Sequence, residues 1–170
     1  SAEWVYAGAN ELGFEEVTRK RGVNKPMAGQ FKKAGVAPQR ILREVRDMAG
    51  EEYEIGQSLK ADLFNVGDTV RVQGVSKGRG FAGGVKRHGY KGGKATHGSM
   101  HHRAPGSIGC SAYPSRVFKG KRLPGQMGNK RVTHRGMQIV AVDTGNDLIL
   151  IRGAVPGANQ GMVIITAERD

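Results

Sequence analysis

The 170-residue sequence predicts a mainly β protein: an antiparallel β-barrel with a small helix-containing insert and a long irregular basic extension. Three observations carry that expectation. Short apolar–polar alternations recur from Trp4 to Thr166 with no long helical repeat between them, which favours antiparallel strands over an α/β sheet. Thr144-Gly145-Asn146-Asp147 separates two apolar runs as a hairpin turn does. Between Asp68 and Asp143 there is no Asp or Glu, yet that interval holds 15 of the 27 Lys and Arg, 15 of the 27 Gly and all five His.

The elements follow in order. Residues 4 to 7 read as a strand. Asn24-Lys25-Pro26 places a Pro in the first turn after a capping residue and opens a short helix through Phe31-Lys32-Lys33-Ala34, which Gly35 ends. Arg40 to Val45 alternates as a strand, Tyr53 to Gly56 is a weaker strand candidate, and Ala61 to Phe64 reads as a helical turn. Asp68 to Gln73 alternates cleanly, and strand character resumes at Met137 to Val142, then at Leu148 to Ile151 and Val163 to Thr166. The expected layout is a globular barrel of residues 1–75 and 136–170, with the insert at about 24–61, and an extended basic Gly-rich loop of residues 76–135. Val140 and Ile149 are expected in the barrel core.

A formal charge of +12 points to a polyanionic partner. The chain has no apolar run near the roughly 20 residues that span a bilayer, and its Gly-dense basic stretch writes no amphipathic helix, so nucleic acid is favoured over a membrane. Outside the acid-free stretch the other 96 residues carry 12 basic and 15 acidic side chains, a formal −3, so the chain has two compartments. Unbalanced positive charge, backbone freedom and little apolar content imply that the partner orders the basic one. Phe81, Tyr90, Tyr113, Phe118 and the imidazoles of His88, His97, His101 and His102 are interleaved with the charges, which suits base stacking alongside phosphate contact. The single Cys110 excludes an intramolecular disulfide and favours a reducing compartment. The chain opens on Ser1, and Trp4-Val5-Tyr6 reads as the inside of a strand, so residues upstream are expected.

Several motifs are weighed and set aside. Gly78-Arg79-Gly80-Phe81-Ala82-Gly83 has a dinucleotide-type glycine spacing, but Gly84, Gly89, Gly92 and Gly93 are expected to break any following helix, and no ribose-binding acid appears before Asp143. His97, His101, His102 and Cys110 have no common zinc spacing and sit in positive surroundings, and no acid lies near enough in sequence to orient an imidazole for Cys110. No metal, cofactor, small-molecule substrate or catalytic residue is therefore assigned. From Arg116 to Arg131 two basic arms flank the uncharged segment Leu123 to Asn129, which reads as a finger with Pro124, Gly125, Gln126 and Met127 at its tip. Charged arms would position on phosphates while the neutral tip probes a crowded site. The residues expected on RNA are Lys77, Arg79, Lys86, Arg87, Lys91, Lys94, His97, His101, His102, Arg103, Arg116, Lys119, Lys121, Arg122, Lys130 and Arg131.

Asn24-Lys25-Pro26, Ser76-Lys77-Gly78-Arg79-Gly80-Phe81 within the Gly74 to Gly84 run, His97-Gly98-Ser99, Pro105-Gly106-Ser107-Ile108-Gly109, Gly125-Gln126-Met127-Gly128 and the Arg152 to Gly157 segment closely resemble, in this order, the universal large-subunit ribosomal protein L three family in its bacterial or organellar form. The resemblance covers essentially the whole chain. It implies a translation-protein-type barrel, binding to ribosomal RNA early in subunit assembly, neighbouring ribosomal proteins as partners, no enzymatic activity, and an extension reaching toward the peptidyl transferase centre. Location in the ribosome, cytoplasmic or organellar, follows. The family's tip glutamine, methylated in some bacterial members, matches Gln126. The family's Met-led first strand is missing, so the barrel is expected to lack a strand, and Cys110 matches no family motif. The alternative from another class is a free translation or RNA-remodelling factor with the same barrel.

Overall fold

A computed structural model of the chain describes residues 4–8, 11–18, 23–45 and 54–168. In order these are β1 (Trp4–Gly8), β2 (Glu11–Glu16), α1 (Lys25–Ala34), β3 (Gln39–Glu44), β4 (Ser58–Leu59), a 3-10 turn (Ala61–Leu63), β5 (Thr69–Val75), β6 (Phe81–Ala82), α2 (Gly84–His88), β7 (Gly125–Gln126), β8 (Arg131–Asp143), β9 (Leu148–Arg152) and β10 (Val163–Ala167). The mainly β class holds. Closure into a barrel does not: the described strands form two four-stranded sheets, β3-β2-β1-β4 and β10-β5-β8-β9, and a two-stranded ribbon, β6-β7. Among the described strands, β3 and β4 end one sheet and β10 and β9 the other, so neither is wrapped on itself. The chain divides into two compact units: Ser1–Arg71, Arg135–Ala154 and Ala167–Asp170 form the first, and Val72–His134 with Val155–Thr166 the second.

In the first unit β1 pairs antiparallel with both β2 and β4, and β2 pairs with β3 so that Gly13 lies opposite Leu42 and Phe14 opposite Ile41. The predicted helix forms as its punctuation requires. The Asn24 side chain accepts a hydrogen bond from the Met27 amide at 3.0 Å, Pro26 occupies the first turn, and Gly35 closes the helix in the left-handed region at φ 70°. Lys32 and Lys33 sit in the last turn, where the helix dipole favours positive charge, and Phe31 is the residue α1 buries. Among the described residues of this unit, Leu59, Ala61, Val70, Met137 and Ile139 are buried apolar side chains as well. The strand expected at Tyr53 to Gly56 is corrected. Tyr53 lies outside the described residues, and Ile55-Gly56 form a turn closed by the Gln57 amide on the Glu54 carbonyl at 3.0 Å, with Gly56 at φ 90°. A glycine in that region turns the chain rather than extending it.

The hairpin forms at the predicted place, with β8 and β9 pairing from Gln138↔Arg152 to Asp143↔Leu148. Its register shifts between Ile139 and Ala141, so Val140 is the extra residue of a bulge. The expectation of a core Val140 is overturned: it is 54% exposed, because the alternation that buries Met137 and Ile139, the latter 1% exposed, turns Val140 outward. Ile149 is half-buried. β8 also begins six residues before the predicted Met137, because the polar run Arg131-Val132-Thr133-His134 alternates half-buried with exposed positions. A strand of that composition gives no apolar signal.

Candidate nucleic-acid interface

The second unit holds the acid-free stretch, and its structure is built from the base outward. Val72 and Gly74 are buried on one side of β5. Gly74 has to be glycine, since a Cβ there would stand 2.7 Å from the Pro156 carbonyl oxygen. The two arms leaving the sheet stay zipped. The Gln73 carboxamide donates to the Thr133 hydroxyl at 3.0 Å, the Ser76 amide donates to the Lys130 carbonyl at 2.9 Å, and the Asn129 amide donates back to Ser76 at 3.2 Å. Farther out, the Arg79 amide donates to the Met127 carbonyl at 2.8 Å and the Met127 amide to the Gly80 carbonyl at 2.9 Å. The ribbon follows, with Phe81 opposite Gln126 and Ala82 opposite Gly125.

This arrangement corrects one expectation. Residues 76–135 are not irregular throughout, and the glycines do not prevent a helix: α2 forms from Gly84 to His88, capped by Gly89 at φ 73°. Gly84 permits rather than breaks this turn. It is buried beneath the Tyr90 ring, and a Cβ would meet the ring at 2.6 Å. The neutral segment expected at the finger's tip is tied to the residues around it. Leu123 to Met127 is fastened down: the Leu123 carbonyl accepts from Arg87 Nη1 at 2.6 Å and lies 3.1 Å from His88 Nε2, the Arg122 carbonyl accepts from the Tyr90 hydroxyl, and Gly125-Gln126 is strand. The His88 and Tyr90 rings lie 5.9 Å apart and tilted, and Arg87 and His88 at the end of α2, with Tyr90 just beyond it, grip one short piece of backbone. None of these partners was legible in the sequence, because they lie more than 30 residues apart and share no periodicity.

Of the expected RNA-binding side chains, Lys77, Arg79, Lys86, Lys91, Lys94, His97, His101, His102, Arg103, Arg116, Lys119, Lys121, Arg122, Lys130 and Arg131 are all exposed. Arg87 is half-buried and committed to the Leu123 carbonyl. The segment from Lys91 to Arg122 is almost wholly exposed and carries local order of its own. The Gly93 amide donates to the His102 carbonyl at 3.0 Å, and the His102 ring nitrogen Nδ1 lies 3.1 Å from the Lys94 carbonyl. Arg116 stacks its guanidinium 5.6 Å from the Phe118 ring centre. Large apolar groups stand in solvent here, Met100 at 99% exposure and Tyr113 at 88%, which contact with a partner would cover. Among the described residues no three His, Cys, Asp or Glu side chains gather as a metal site, and no helix is long and apolar enough to cross a membrane. Cys110 is exposed.

A surface of like charge with exposed planar groups and no carboxylate can neutralise phosphates and stack on bases. The comparisons with known proteins point the same way. The family model described as Ribosomal protein L3 matches residues 40–148. The "Large ribosomal subunit protein uL3" of Thermosipho africanus is 52% identical over 162 residues, covering 95% of this chain and 78% of that protein. The proteins of the same name from Syntrophus aciditrophicus and Heliobacterium modesticaldum are 52% and 50% identical, covering 92% and 94% of this chain and 72% and 75% of their own lengths.

Proposed function

Because the chain belongs to the ribosomal protein L3 family, we propose that it is a structural, non-enzymatic constituent of the large ribosomal subunit that binds ribosomal RNA and supports early subunit assembly. The observation that carries this reading is the second unit's surface: fifteen of the sixteen RNA-facing candidates are exposed, in a stretch without a single acid from residue 69 to residue 142. Lys and Arg neutralise phosphates and release counterions, and the glycines let RNA backbone approach closely. The extension is the part that reaches toward the peptidyl transferase centre, with Gln126 exposed on its ribbon as the residue open to methylation. Its partners are large-subunit RNA and adjoining ribosomal proteins, and its place is the ribosome.

Photo-crosslinking from positions 76–135 in gradient-fractionated cell extract tests this. Crosslinks to large-subunit RNA in ribosomal fractions, clustering near the peptidyl transferase centre for Gln126, are the expected result. Crosslinks confined to free or heterogeneous RNA would refute it in favour of a transient RNA-binding factor.

A further inference from the structure

The β6-β7 ribbon has two unlike faces. Ala82, 3% exposed, and the half-buried Gly125 share the inner one, where the Arg87 guanidinium fills the space a Cβ on Gly125 would need, its Nη1 2.8 Å from that position. Phe81 and Gln126 share the outer one. They are directly opposed in the register, which brings their Cβ atoms to roughly 5 Å on the same side of the ribbon. Phe81 is 80% exposed, so the ring adds little to folding, and Gln126 is exposed beside it. An aromatic plane next to a primary carboxamide, on a ribbon fixed from behind, is a preorganised pair of contacts.

We propose that Phe81 and Gln126 together form a base-reading site, in which the ring stacks on one unpaired nucleobase of single-stranded RNA and the carboxamide pairs with a donor–acceptor edge of that same base. The chemistry of each half is complete without a third group. A base offers a π-face to any aromatic ring, and a carboxamide presents one donor next to one acceptor, matching the adjacent N–H and lone pair on a base edge. Charge selects this occupant: the flanking Lys77, Arg79, Lys130 and Arg131 are exposed and no acid lies in the stretch, so a polyanion is held where its base meets the ribbon. The clamp of Arg87, His88 and Tyr90 on the carbonyls of Leu123 and Arg122 fixes Gln126 against Phe81 before RNA arrives. This inference rests on the RNA-binding reading above and sharpens it to one nucleotide.

The test is titration of the full chain with a fluorescently labelled single-stranded oligoadenylate at several salt concentrations, alongside the same oligomer with abasic sites. Phe81→Leu is expected to weaken oligoadenylate binding about tenfold, the scale of one base–aromatic stack, without changing the salt slope. Phe81→Trp should restore it, Gln126→Leu should weaken it several-fold, and the double variant should lose less than the product of the two because both contacts serve one base. On abasic oligomer the wild type and Phe81→Leu should bind alike. The proposal is overturned if Phe81→Leu binds oligoadenylate as the wild type does. Equal losses in Phe81→Leu and in Phe118→Leu, whose ring is 61% exposed elsewhere in the extension, would also overturn it, by showing a general aromatic effect. Salt-dependent binding with no Phe81 or Gln126 effect defeats this site alone, whereas a wild type with no salt-dependent RNA binding defeats the RNA-binding reading as well.

Discussion

At the scale of single residues, the hairpin bulge separates two neighbours that a sequence pattern treats alike. Ile139→Ala removes a side chain 1% exposed and should cost about 2–4 kcal/mol, while Val140→Ala, at 54% exposure, should stay within about 0.5 kcal/mol. Chemical denaturation of the two variants checks this, and similar midpoints would contradict this difference in burial. The following turn contains an acid-sensitive contact. The Asn146 carboxamide donates to Asp143 at 2.7 Å and holds its carboxyl below the ordinary value, a pull that slight desolvation opposes and the Gly145 and Asn146 amides reinforce. Folding therefore favours the carboxylate. Its contribution is present above the unfolded value of about 3.9 and is lost as pH falls through the lower folded value. In Asn146→Ala the Asp143 titration midpoint, followed by NMR, should rise relative to the wild type; an unmoved midpoint would show that the carboxamide is not the cause.

At the scale of elements, capping and close approach decide what forms. Asn24→Ala deprives the Met27 amide of its acceptor and should destabilise the first unit by about 1 kcal/mol in thermal or denaturant unfolding. Gly128 is the corresponding weak point of the second unit. It sits at φ 71°, and a Cβ would run into the Lys77 carbonyl. Gly128→Ala should therefore unzip the arms, seen as faster amide exchange at Arg79 and Met127, whose amides donate to the Met127 and Gly80 carbonyls beside it. Protection unchanged from the wild type would argue against this geometry. α1 was legible because every one of its boundary signals is local, from Asn24 to Gly35. α2 was not, since its stabilising partners Leu123 and Arg122 lie more than 30 residues away and its own sequence is bounded by glycines.

At the scale of the whole molecule, charge distribution is the property that function uses. Replacing Lys119 and Lys121, both exposed, with Gln should lower the slope of log affinity against log salt by roughly 1.4, on the basis of about 0.7 per phosphate contact for single strands, and should weaken binding similarly for different RNA sequences. A sequence-dependent loss with no change of slope would place these lysines off the phosphates. The acid-free interval that locates this surface is a count along the chain, and it was legible in full. Its architecture was not, because the zipped arms, the ribbon and the clamp are contacts between residues far apart in sequence.

The antiparallel strands, the capped helix, the hairpin turn, the basic compartment and the family resemblance are all legible before any contact is known. Each of these is written in local spacing, in composition, or in motifs that survive without knowledge of contacts. Packing between distant segments settled that the sheets stay open, that Val140 lies in a bulge and faces outward, and that Gln126 stands opposite Phe81 on a fastened ribbon. The reason is one of range: helix caps and turns are settled within a few residues, whereas strand register and backbone clamps depend on which distant segments pack together.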